Sequence, residues 1–69
     1  MKIEFLGTTS NEGACPRAFA TDRGTYLLQG TRVTDPDVLT ELRATYGGLP
    51  DHETVVEIPA GLLAFLPNT

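Results

Sequence analysis

The chain has 69 residues, 41% of them hydrophobic and 20% charged, with nine acids against five bases for a formal net charge of -4. This is the balance of an ordinary globular protein and argues against disorder as the ground state. The acidity argues against direct DNA or RNA binding, which needs clustered Lys and Arg on the phosphate backbone. A chain this short buries only about 60% of the surface its unfolded form exposes, so one core and one domain over residues 1–69 are expected.

Small domains usually need a disulfide, a metal or a partner to offset chain entropy. The lone Cys15 cannot close an intrachain disulfide, and no paired Cys/His spacing marks a structural zinc site. Partner-assisted stability is therefore expected. Charge is uneven along the chain: residues 1–33 hold four bases and three acids, residues 34–69 one base and six acids. The acidic half suits a basic partner.

Lys2 to Leu6 alternates, with Ile3 and Phe5 on one face, and reads as a half-buried strand ending at Gly7. Gly7 to Pro16 is rich in Gly, Ser, Thr and Asn and reads as a loop. Arg17 to Thr21 and Thr25 to Thr34 read as two strands joined through Asp22-Arg23-Gly24, a hairpin with a bulge. The longer strand has apolar residues on both sides near its start, which predicts an interior position. Gly30 within it predicts a bulge or a close approach by other backbone.

Asp35-Pro36 is the clearest local signal, an N-cap followed by a proline in the first helical turn. A helix over 36–46 follows, with Val38, Leu39, Leu42 and Tyr46 on the side expected to pack on the sheet. Gly47-Gly48 supplies the left-handed residue that ends it. Thr54 to Ile58 reads as a fourth, buried strand. Pro59 to Leu66 reads as a short helix stopped by Pro67, with Leu62, Leu63 and Leu66 at helical spacing. The expected fold is α+β: a small, mostly antiparallel sheet of about four strands, one helix near 36–46 and a short C-terminal helix.

The chemistry-bearing residues are few. A Cys-His hydrolase would have to use Cys15 and His52, but nothing in their spacing supports this. The Gly7–Gly13 loop lacks the Lys and Ser/Thr that a phosphate-binding loop places after its second glycine. Asp35, Asp37 and Glu41 fit favourable placement near a helix N-terminus better than a calcium loop with six to eight oxygen ligands. No catalytic residue, cofactor or metal is expected.

Arg17, Arg23 and Arg32 with Phe19 and Tyr26 lie on the hairpin, where aromatics beside Arg can anchor a protein partner. The N-terminal Lys2, Glu4 and Gly7 interrupt any signal-peptide core. The Ile58–Leu66 stretch is far shorter than the roughly 20 residues that span a bilayer. A cytoplasmic protein is expected.

Three segments carry a family resemblance. Ser10-Asn11-Glu12-Gly13-Ala14-Cys15 is a Ser/Asn-rich loop leading through Gly to Cys, and Val33-Thr34-Asp35 ends a strand in Val-x-Asp. Val55-Val56-Glu57-Ile58-Pro59-Ala60, running into Leu63-Ala64-Phe65, is a final strand with a Pro-Ala helix start and an Ala-Phe pair. Together they resemble a family of small actinobacterial proteins, of unknown biochemical function, encoded beside Xre-type helix-turn-helix regulators. The chain departs from that family in having no Trp, Pro16 directly after Cys15, and the helix of residues 36–46.

The resemblance implies a non-enzymatic accessory protein that binds a cognate helix-turn-helix DNA-binding regulator and modulates it. An interface containing Asp35, Asp37, Glu41, Phe19 and Tyr26 is the corresponding expectation. The alternative is a self-associating structural or adaptor module, a homodimer pairing through an exposed sheet edge.

Overall fold

A computed structural model describes residues 1–10 and 16–67. Its strands are β1 (Ile3–Thr8), β2 (Arg17–Thr21), β3 (Tyr26–Gln29), β4 (Thr31–Arg32) and β5 (Val56–Glu57). The helix α1 spans Pro36–Ala44, and a 3₁₀ helix, η1, spans Ala60–Phe65. The fold is α+β with antiparallel pairing throughout, as expected. The strands form two sheets, one of three strands in the order β1-β2-β3 and one pairing β4 with β5.

The division falls at Gly30. A β-carbon there would sit 2.6 Å from the Glu57 carbonyl oxygen and 2.7 Å from the Ile58 side chain. The close approach expected at this glycine is what lets the chain leave the first sheet and pair with β5. Arg32 faces Val56 and Thr31 faces Glu57 in that second sheet, and Val33 N–H extends the pairing by donating to Val55 O at 3.1 Å.

In the first sheet β2 is the interior strand and β3 an edge, contrary to the expectation drawn from Tyr26-Leu27-Leu28. The two sheets part immediately after β3, so no further strand covers its outer side. The β2–β3 hairpin turns over residues 22–24, with Gly24 at φ +75°. The Thr21 hydroxyl pins the turn, accepting from Arg23 N–H at 3.1 Å and meeting the Thr25 hydroxyl at 2.6 Å.

β1 runs two residues beyond the expected Leu6 to Thr8, because its register shifts between Phe5 and Gly7 and pairing resumes as Gly7 to Ala18. Gly7 and Ala18, opposite each other, share a face, and η1 lies across it. Ala18 and Leu62 are fully buried, and they are the buried hydrophobic residues of the described chain. A β-carbon on Gly7 would fall 2.2–2.5 Å from the Phe65 ring, so the ring occupies the space that the glycine leaves. The C-terminal segment was expected to be a short helix with Leu62, Leu63 and Leu66 at helical spacing. It winds as a 3₁₀ helix, with three residues per turn, that buries Leu62, sets the Phe65 ring against Gly7, and leaves Leu66 half-buried and Leu63 exposed.

Two further expectations change. The helix ends at Ala44, with Thr45 extended, and Tyr46, Gly47 and Gly48 all follow at positive φ. Tyr46 is thereby carried out of the helical face and is 85% exposed. The helix buries none of its residues, so it does not pack on the three-stranded sheet; its apolar side faces β4 and β5. Strand β5 is short and exposed on both faces, where a buried strand over 54–58 was expected, because it pairs with β4 alone and α1 stands across an open groove from it.

The Gly7 contact predicts that Gly7→Ala destabilises the fold by about 1–3 kcal/mol, the usual range for overpacking. In Gly7→Ala/Phe65→Ala the cost of the first change largely disappears, a non-additive cycle read by denaturant unfolding. Leu62→Ala is expected to cost about 2–5 kcal/mol as a buried large-to-small change.

Candidate functional site

Helix α1 starts where Asp35 Oδ1 accepts from Asp37 N–H at 2.9 Å, with Pro36 at the first turn and the first helical bond running from Leu39 N–H to Asp35 O. These contacts fix the helix entry directly after β4. The chain returns antiparallel through β5, and a groove of about 410 Å³ opens between α1 and the β4–β5 pair. Val33, Val38, Leu42, Val55 and Val56 line it, with Asp35 and Glu57 as its charged members. The result is an apolar trough with carboxylates at its margin.

Of the residues expected at an interface, Asp35 lines this groove, while Asp37 and Glu41 are exposed elsewhere on α1. Phe19 and Tyr26 belong to the other sheet, and they are not brought together. Phe19 faces Leu27 and Phe5 in register, whereas Tyr26 faces Ala20, so the two rings lie on opposite faces of the sheet. Phe19 instead makes an edge-to-face contact with Phe5, with ring centroids 5.8 Å apart. Arg23 and Arg32 are exposed and Arg17 is half-buried.

His52 sits in the exposed turn after Pro50, its Nε2 3.8 Å from the Glu53 carboxylate. Cys15 and residues 11–13 of the Gly7–Gly13 loop lie outside the described residues. The described flanks of that loop are tied by Thr8, whose hydroxyl donates to Pro16 O and accepts from Ser10 N–H. Among the described residues no group of three or more His, Cys, Asp and Glu is placed to hold a metal. No helix there is long and apolar enough to cross a membrane. A second depression, of about 190 Å³ and mixed polarity, lies between Lys2–Glu4 and Ala20–Asp22.

Sequence reasoning missed the valines of the groove. Val38 and Leu42 were assigned to a helix face packed on the main sheet, and Val56 to a buried strand. Their signal was legible as apolar spacing, but spacing does not name the surface opposite. In comparisons with known proteins, no family model, curated protein or solved structure matches the chain.

Asp35 has two separable roles, a cap and a charge. Asp35→Ala is expected to lower stability by about 1 kcal/mol through loss of the cap, whereas Asp35→Asn, an equally good cap, changes it by only a few tenths. Thermal unfolding of the two variants checks this.

Proposed function

We propose that the chain is a non-enzymatic regulatory module of the cytoplasm that binds a helix-turn-helix DNA-binding regulator and modulates it. The observation that carries this reading is the apolar groove between α1 and the β4–β5 pair, with Asp35 and Glu57 among its lining residues. A groove of this chemistry takes an apolar side chain flanked by Lys or Arg, the pattern of an amphipathic segment laid into a trough. The acidic C-terminal half of the chain extends the attraction, with Asp37 and Glu41 on the same helix.

A regulator that grips DNA carries a basic surface for phosphates. An acidic module seated on it competes with DNA, with charge governing the encounter and the apolar anchor governing residence. The segments 10–15, 33–35 and 55–65 support this choice of partner through their resemblance to proteins encoded beside such regulators. The open groove also makes partner binding stabilising, since any ligand of the folded state alone shifts the folding equilibrium.

The test is affinity capture from native lysate with mass-spectrometric identification, followed by titration of the purified partner. The expected partner is a helix-turn-helix regulator that is retained at low salt and released at high salt. Val38→Asp, at an exposed groove position, is expected to weaken binding roughly tenfold or more, and Asp35→Asn/Glu57→Gln to flatten the salt dependence. Failure to retain any such regulator, or retention indifferent to both variants, overturns the proposal.

A further inference from the structure

The three-stranded sheet has two faces and η1 covers one of them. Register places Ile3, Phe5, Phe19 and Leu27 on the other, with Thr21 at one end and Thr8, Arg17 and Gln29 at the other. Ile3 and Phe5 are 57% and 55% exposed there, and Leu27 is exposed beside them. Alternation had marked Ile3 and Phe5 as the inward side of β1, yet among the described residues no second layer covers that side. A contiguous apolar face centred on an aromatic pair is unusual for a solitary domain.

The whole chain shows the same shortfall. Its accessible surface is 5417 Å², against roughly 4,200 Å² for a compact folded monomer of its mass. Its radius of gyration is 13.8 Å, against roughly 11 Å for a compact chain of its length. The excess area is on the order of 1,000 Å², and a standard interface takes about 800 Å² from each partner.

Charge selects the occupant. The protein carries -4 overall, so most of its surface repels another acidic molecule. The register positions of this face include no Asp or Glu; Glu4, the acid of β1, faces Ala20 on the opposite side. A basic partner gains nothing from these positions and is better served by the groove, whereas an equally acidic partner with a matching apolar face meets no carboxylate among them, only Asp22 beyond the Thr21 end, opposite its own Arg17.

We infer that a second copy of this chain covers the Ile3–Phe5–Phe19–Leu27 face, two three-stranded sheets packing face to face in a two-fold dimer. An isologous contact of this kind uses the same patch twice, at the spacing of about 10 Å usual for stacked sheets. A two-fold axis lying between the sheets and perpendicular to the strands sets the Phe5–Phe19–Leu27 row against itself. The same axis brings each Arg17 over the Thr21 end of the other copy, next to its Asp22. The dimer leaves the α1 groove open, so it stands independently of the regulator-binding reading.

The chain has no tryptophan, which makes Phe5→Trp a unique fluorophore on the face. Sedimentation velocity and emission are followed together across a dilution series. The expected result is a monomer–dimer equilibrium in which emission shifts to shorter wavelength as dimer forms, and a wild-type melting temperature that rises with concentration. Leu27→Lys, at an exposed position, is expected to weaken dimerisation about thirtyfold or more, while Val38→Asp leaves it unchanged. A monomer with solvent-exposed emission at every concentration overturns the inference. So does a dimer whose Trp stays exposed, which would indicate edge pairing or contact through the groove.

Discussion

The ring of Phe65 lies where a side chain on residue 7 would have to be, and much of the fold depends on that exchange of volume. Because Gly7 is bare, η1 can settle onto β1 and β2, which buries Leu62 beside Ala18. Because η1 settles there, the chain leaving β5 at Pro59 is anchored to a sheet it does not otherwise join. The second sheet and the helix between its strands are held to the first through that anchor and through the close passage of β5 at Gly30. Two glycines, each nearly touching another segment, join the two halves of the molecule.

Supports of this kind make a structure of unequal parts. The three-stranded sheet has a ladder interrupted once, between Phe5 and Gly7, and one face on which η1 packs, so its opening requires loss of the buried contacts. The helix and the β4–β5 pair have a capped start and a few backbone bonds but bury no helical side chain. Elements with few buried contacts open at low free energy and are those that ligands most readily order. The apolar groove and the bare sheet face are thus two outcomes of one shortage. The described residues carry more apolar surface than the single covered face can hide, and the groove and the Ile3–Phe5 side hold what is left exposed.

Much of the local structure was legible in the sequence because its causes are local. Asp35-Pro36 specified a helix start through capping chemistry, Asp22-Arg23-Gly24 specified a hairpin through a left-handed glycine, and Gly30 announced a close approach. What escaped were relations between elements. Alternation shows that Ile3 and Phe5 share a face without showing which face meets water. The Tyr26-Leu27-Leu28 run resembles an interior strand, yet the sheet ends beside it because the chain turns away at Gly30. Helical spacing put Val38 and Leu42 on one side of α1, but their counterpart is Val55 and Val56, not the main sheet. Asp35 was expected at an interface from its charge and lines the groove, while the valines that make the groove gave no separate signal.

The central claim is that the β1–β2–β3 sheet with η1 forms the stable part of the molecule and that α1 with the β4–β5 pair is weakly supported in the free chain. Native-state hydrogen exchange on the free protein tests it most directly. The account predicts that backbone amides of β2 are protected to the level of global unfolding, while those of α1 exchange much faster through local opening and gain protection when a partner binds. Equal protection of α1 and β2 in the free protein would contradict it, because it would require the helix to be held by contacts that this structure does not contain.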